Sequence, residues 1–140
     1  KNDKDEFLKL PFYSESCGTK KMLAFSVHLL SALENGLTLF VDELDSKFHP
    51  LILRYIVRMF TNKDINLGGG QLIFTSHNLI CLDANDLRRD EIWLVEKNNQ
   101  RSTLFSLYDF KETNVRNDLS FRKHYLNGRF GAVPFVNEKE

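Results

Sequence analysis

The sequence predicts an α/β fold, a mostly parallel sheet with flanking helices, on three observations. Two short apolar runs, Leu37 to Val41 and Gln71 to Thr75, read as strands, since both are too short for helices. Between them Pro50 suits the first turn of a helix, which Leu51, Ile52, Tyr55, Ile56, Met59 and Phe60 continue at helical spacing. Ahead of both, from Gly18 to Asn35, Met22, Leu23, Leu29, Leu30 and Leu33 recur at three- and four-residue steps, with Phe25 and Val27 widening the apolar face. This helix–strand–helix–strand order implies right-handed crossovers in one sheet.

Taken in order, the first ten residues are charged and then turn apolar at Phe7, Leu8 and Leu10, before Pro11 and Ser14-Glu15-Ser16 interrupt them. Asn35-Gly36 stops the first helix, because glycine takes the left-handed conformation without steric penalty. The run from Leu37 is almost wholly apolar, which predicts a strand buried on both faces. Gly68-Gly69-Gly70 reads as a flexible break, and Asn78 to Asp90 as a loop with a short helix. A β-hairpin is expected near residues 91–107, from Ile92-Trp93-Leu94-Val95 and Thr103 to Leu107, with its turn near Asn98-Asn99. Trp93 reads as core. Asp109 to Asp118 is polar loop, and Ser120 to Leu126 a short helix ending at Asn127-Gly128.

Composition narrows the function classes. A chain of 140 residues fits one domain or a large piece of one, and twelve phenylalanines with few glycines and prolines argue against disorder. Nineteen basic and 19 acidic residues balance to zero, which argues against a chain held on nucleic acid by bulk charge. Arg54, Arg58, Arg88 and Arg89 accordingly read as solvated faces. Cys17 and Cys81 lie far apart and fit neither a disulfide framework nor a zinc site, in keeping with a reducing cytoplasm. No apolar run approaches the ~20 residues needed to span a bilayer. The opening Lys1-Asn2-Asp3-Lys4-Asp5-Glu6 is neither a signal peptide nor an initiator methionine, so a preceding segment is expected.

Three places can carry chemistry. Leu37 to Glu43 is an apolar strand ending in two adjacent carboxylates, and ligands of open parallel sheets gather at strand C-termini. There one acid, Asp42, can hold magnesium through water, and the next, Glu43, can orient and deprotonate an attacking water. A strand that simply leaves the core and turns polar would look the same, so the pair alone leaves both readings open. Gln71 to His77 repeats the pattern one strand later, ending in hydroxyls and an imidazole able to donate to a phosphate oxygen. Ser14 to Lys20 opens the long helix. Ser16 suits a helix cap, while Gly18 lets an anion approach backbone N–H groups at the positive end of the helix; Lys20 and Lys21 can assist. His49 reads as packing or capping beside Pro50, and Gly128 and Gly131 as a tight turn around Arg129, which can reach a phosphate or a partner chain.

As an ordered set these features resemble a family. Ser16-Cys17-Gly18-Thr19-Lys20, Asp42-Glu43 through His49-Pro50, Thr75-Ser76-His77-Asn78 and Tyr125-Leu126-Asn127-Gly128-Arg129-Phe130-Gly131-Ala132-Val133-Pro134 follow one another. The chain resembles the C-terminal lobe of ABC-type ATPases, in the branch that includes SMC-like, RecF-like and OLD-like proteins. Within that branch it looks most like bacterial AAA-family ATPases of phage-defence and abortive-infection systems. The resemblance implies the C-terminal half of a P-loop NTPase domain that binds ATP and magnesium. It implies that Ser16, Gly18, Thr19 and nearby amides meet the γ-phosphate of ATP held by the opposite protomer of a homodimer. Asp42 would be the Walker B acid, Glu43 the catalytic glutamate, Leu44-Asp45 the D-loop at the dimer interface, and His77 the switch histidine. The Thr after Gly18 and the Cys before it set the chain apart from the Leu-Ser-Gly-Gly-Gln form of transporters.

No GxxxxGK[ST] motif occurs in the 140 residues, and Gly68-Gly69-Gly70 has no Lys-Ser or Lys-Thr after it. The expectation is therefore that a further segment or chain supplies the phosphate-binding loop, and that this chain alone is inactive. ATP hydrolysis driving a conformational signal to an effector is the leading reading. A regulatory or assembly module with negligible turnover is the second. A metal-dependent nuclease using Asp42, Glu43 and Asp45 is the third, and it leaves the Ser-x-Gly helix unexplained.

Overall fold

The computed structural model describes residues 11–46, 48–83, 85–98, 100–110 and 121–133. The chain divides into two compact units, Lys1–His77 and Asn78–Glu140.

In the first unit, a 3-10 turn at Phe12–Ser14 leads into α1, Cys17–Asn35. Ser16 Oγ accepts the Thr19 N–H at 3.1 Å and so caps α1. At its far end Gly36 lies at φ 67, in the left-handed region, and its N–H donates to Ala32 O. β1 (Thr38–Val41) and β2 (Gln71–Phe74) pair in parallel, with Thr38 opposite Gln71 and Val41 opposite Phe74. α2, Pro50–Thr61, joins them; His49 Nδ1 accepts the Leu51 N–H at 3.3 Å, so His49 is the cap and Pro50 fills the first turn. α1 packs on β1 and α2 on β2. The core holds Leu29, Ala32 and Leu33 of α1 and Leu53, Ile56 and Val57 of α2, each Leu or Ile stabilising the unit by roughly 1.5–3 kcal/mol.

Three expectations are corrected here. The strands are not buried on both faces: Leu39, Val41, Leu72 and Phe74 are half-buried, while Phe40 is 72% and Ile73 44% exposed. The helices cover one face of the pair and leave the other bare. The apolar face of α1 also splits, because Leu23, Val27 and Leu30 are exposed. A 19-residue helix runs ~28 Å, whereas a four-residue strand offers only ~13 Å of sheet to cover it. Finally, Gly68 and Gly70 form no flexible break. A Cβ on Gly70 would lie 2.3 Å from Ala32 O, and one on Gly68 2.5 Å from Glu34 O, so both glycines let the chain press against the end of α1. Asn66 holds this loop, with its side chain bonded to Phe60 O and to both Gly70 O and Gly70 N.

The second unit carries the expected hairpin, β3 (Trp93–Asn98) and β4 (Arg101–Ser106), paired antiparallel as a separate sheet with Trp93 opposite Ser106. Gln100 takes φ 66 in its turn. The Asn78 to Asp90 stretch holds two short 3-10 turns, Leu79–Cys81 and the start of Arg89–Glu91, in place of one helix. α3 spans Phe121–Leu126, and Gly128 (φ 70) and Gly131 (φ 67) make the turn around Arg129. Ile92, Leu107, Phe121 and Phe130 form the core, with Leu94, Phe110 and Tyr125 packed against it. Trp93 is not core: it is 57% exposed, on the outer hairpin face with Val95 and Leu104. Arg89 is not solvated either, since its guanidinium donates to Leu107 O at 3.0 Å and to Phe110 O. The stretches 1–10, 111–120 and 134–140 lie outside the described residues, as do the features expected of them. No helix among the described residues is long and apolar enough to cross a membrane.

Candidate functional site

Because β1 and β2 end in register at Val41 and Phe74, the next residues, Asp42 and Thr75, stand opposite each other at the C-terminal edge of the pair. The ladder runs past the strands. Thr75 N–H donates to Val41 O at 3.1 Å, and Leu44 N–H to Thr75 O at 3.0 Å. Between these bonds the Thr75 hydroxyl donates to Asp42 Oδ1 at 2.6 Å and accepts the Glu43 N–H at 2.8 Å. One side chain thus joins both acids.

Glu43 sits at φ 47, a left-handed conformation that disfavours a non-glycine residue by roughly 1–3 kcal/mol. It is held from both sides. Thr75 takes its N–H, while Ser46 N–H and Ser46 Oγ both donate to Glu43 O, at 3.0 and 2.8 Å. Leu44, fully buried, anchors the 3-10 turn Leu44–Ser46 that follows. That turn lifts the Asp45 carboxylate to His77, whose backbone N–H lies 3.3 Å from each Asp45 oxygen. Asp42, Glu43 and His77 are exposed, and Asp45 is half-buried. Four of the predicted residues, Asp42, Glu43, Asp45 and His77, are therefore drawn to one sheet edge.

Ser16, Gly18 and Thr19 are not among them. They occupy the first turn of α1, where Ser16 Oγ also lies 2.9 Å from Thr19 Oγ1. Among the described residues a Cβ on Gly18 would meet only Ser16 Oγ at 3.7 Å, an ordinary contact, so nothing among them demands glycine there. Lys20 is turned back, donating to Tyr13 O at 2.7 Å with the Phe12 ring 5.9 Å from its ammonium. Further along α1, Phe25 packs on Phe48 at 5.1 Å, beside the turn that carries Asp45.

The family model described as "AAA domain, putative AbiEii toxin, Type IV TA system" matches residues 3–83, more than half of the chain. The chain belongs to this family. It is an AAA-family ATPase domain of the abortive-infection kind, in the P-loop NTPase class, and the matched stretch contains every site residue from Ser16 to His77. No curated protein and no solved structure matches it.

For this AAA-family domain the donor set can be tested against magnesium. Among the described residues no three His, Cys, Asp or Glu side chains gather into a metal cage. A single hard carboxylate at the strand end, Asp42, fits a magnesium ion held largely by water and phosphate oxygens. Sequence reasoning missed Thr75 and Ser46. The apolar runs alone could not single out Thr75, since aligning Leu37–Val41 with Gln71–Thr75 sets Ser76 opposite Asp42; the observed register, Thr38 opposite Gln71, sets Thr75 there.

Proposed function

We propose that this domain binds magnesium–ATP and hydrolyses it at an ABC-type dimer interface, transmitting the nucleotide state to an effector in a defence response. The observation that carries the reading is the single edge shared by Asp42, Glu43 and His77, with the two acids joined through the Thr75 hydroxyl. Glu43 takes the proton of the water that attacks the γ-phosphorus, and ADP leaves in line. His77 donates to a γ-phosphate oxygen, and Asp42 holds the metal's water shell. Magnesium, when bound, neutralises charge on the phosphates. Phosphoryl transfer of this kind is positioning and charge stabilisation, which suits groups pinned on a rigid sheet edge.

Ser16, Gly18 and Thr19 bind the γ-phosphate of the opposite protomer. Gly18 supports this, since glycine is a poor helix former and no contact among the described residues requires one there. A further segment or chain contributes the phosphate-binding loop and covers the bare Phe40–Ile73 face. In support, parallel sheets are ordinarily covered on both sides, and two strands alone are marginal.

Phosphate release by the full-length protein, completed with its phosphate-binding loop, tests the proposal. Turnover with magnesium–ATP should be lost in Asp42→Asn and Glu43→Gln. Turnover retained in Glu43→Gln removes that residue from its role, and no turnover in the parent leaves a nucleotide-binding assembly module.

A further inference from the structure

We infer that Thr75 is the positioning residue of the hydrolytic edge, setting the aim of Asp42 and Glu43 together through its one hydroxyl; the inference rests on the function proposed above. A hydroxyl has one proton to give and lone pairs to accept with. In Thr75 the proton goes to Asp42 Oδ1 at 2.6 Å, and a lone pair receives the Glu43 N–H at 2.8 Å. The first bond fixes the rotation of the carboxylate that faces the metal shell. The second helps hold Glu43 at φ 47, a backbone state outside the extended strand region. Released from that bond, Glu43 relaxes toward an ordinary conformation, and its carboxylate leaves the line of attack.

The placement also links the edge to its sensor. Thr75 directly follows β2 and lies two residues before His77, and its own N–H and C=O bond to Val41 and Leu44 on either side of the acids. A displacement of His77 by a phosphate therefore reaches Asp42 and Glu43 through a short stretch of backbone bonded at Thr75 and at His77. Thr75 itself touches no substrate in this scheme. It acts through the acids.

Two substitutions separate positioning from packing. Thr75→Val keeps the branched shape and removes the hydroxyl; Thr75→Ser keeps the hydroxyl and removes the methyl. In the full-length protein with its phosphate-binding loop, Thr75→Val should lower kcat for ATP by about 10–100-fold, the usual effect of losing an outer-shell partner, with KM little changed. Thr75→Ser should stay near the parent. The reverse order, valine tolerated and serine impaired, means that Thr75 only packs and overturns the inference. Glu43→Gln is the control. Turnover lost there but intact in Thr75→Val defeats the role of Thr75 alone, whereas turnover intact in Glu43→Gln defeats the hydrolysis reading beneath it. Thermal melting of both Thr75 variants guards against misfolding, and a serine variant as stable and active as the parent confirms the hydroxyl.

Discussion

The backbone N–H of His77 lies 3.3 Å from both carboxylate oxygens of Asp45, tying the segment that leaves β2 to the turn that follows the acids. An amide can share its proton with two charged oxygens, and an asparagine retains one acceptor where alanine retains none. Asp45→Ala should therefore speed amide exchange at His77 and slow ATP turnover several-fold, with Asp45→Asn in between. Hydrogen exchange at His77 that is indifferent to Asp45→Ala would show the tether to be incidental.

Ser16 is both a helix cap and, in the proposed function, an anion ligand, and substitution separates the two. Aspartate caps helices as well as serine but repels phosphate, whereas alanine removes the cap at about 0.5–2 kcal/mol. Ser16→Asp should melt like the parent yet lose ATP-dependent association. Ser16→Ala should lower the melting temperature, as read by circular dichroism.

The glycines after α2 differ in what they tolerate. Gly69 lies at φ 72 with none of the described residues within 4 Å of an added Cβ, so Gly69→Ala should cost only the ~1–2 kcal/mol of a left-handed residue. Gly70→Ala drives a methyl into Ala32 O at 2.3 Å and forces the loop before β2 away from the end of α1. It should be the more damaging by urea denaturation.

On the second unit the Arg88 guanidinium donates to Asp90 at 2.8 and 3.0 Å and holds its carboxyl below the usual range. A lowered carboxylate adds stability above its unfolded pKa and loses it as pH falls through the folded value. Here the pair is fully exposed, so Arg88→Gln should return Asp90 to the ordinary range in an NMR titration while acid unfolding barely moves.

Much of this was legible beforehand. Helical spacing marked α1 and α2, Asn35-Gly36 marked the first stop, and the two apolar runs marked β1 and β2 with the acids and His77 at their ends. Burial was harder to read. An apolar run gives strand and length, but it does not say how many faces a helix covers, so Phe40 and Trp93 were placed inside. Gly70 was read from its freedom, when its role is the space it leaves for Ala32 O. The site's residues were named one strand at a time. The bond from Thr75 to Asp42 depends on register, a property of two strands together.

The central claim is that Glu43 activates the water that cleaves ATP at this edge. The nucleotide recovered after incubation with magnesium–ATP tests it most directly. The parent, completed with its phosphate-binding loop, should yield ADP, while Glu43→Gln should yield intact ATP bound to associated protein. ADP recovered equally from both would contradict the account.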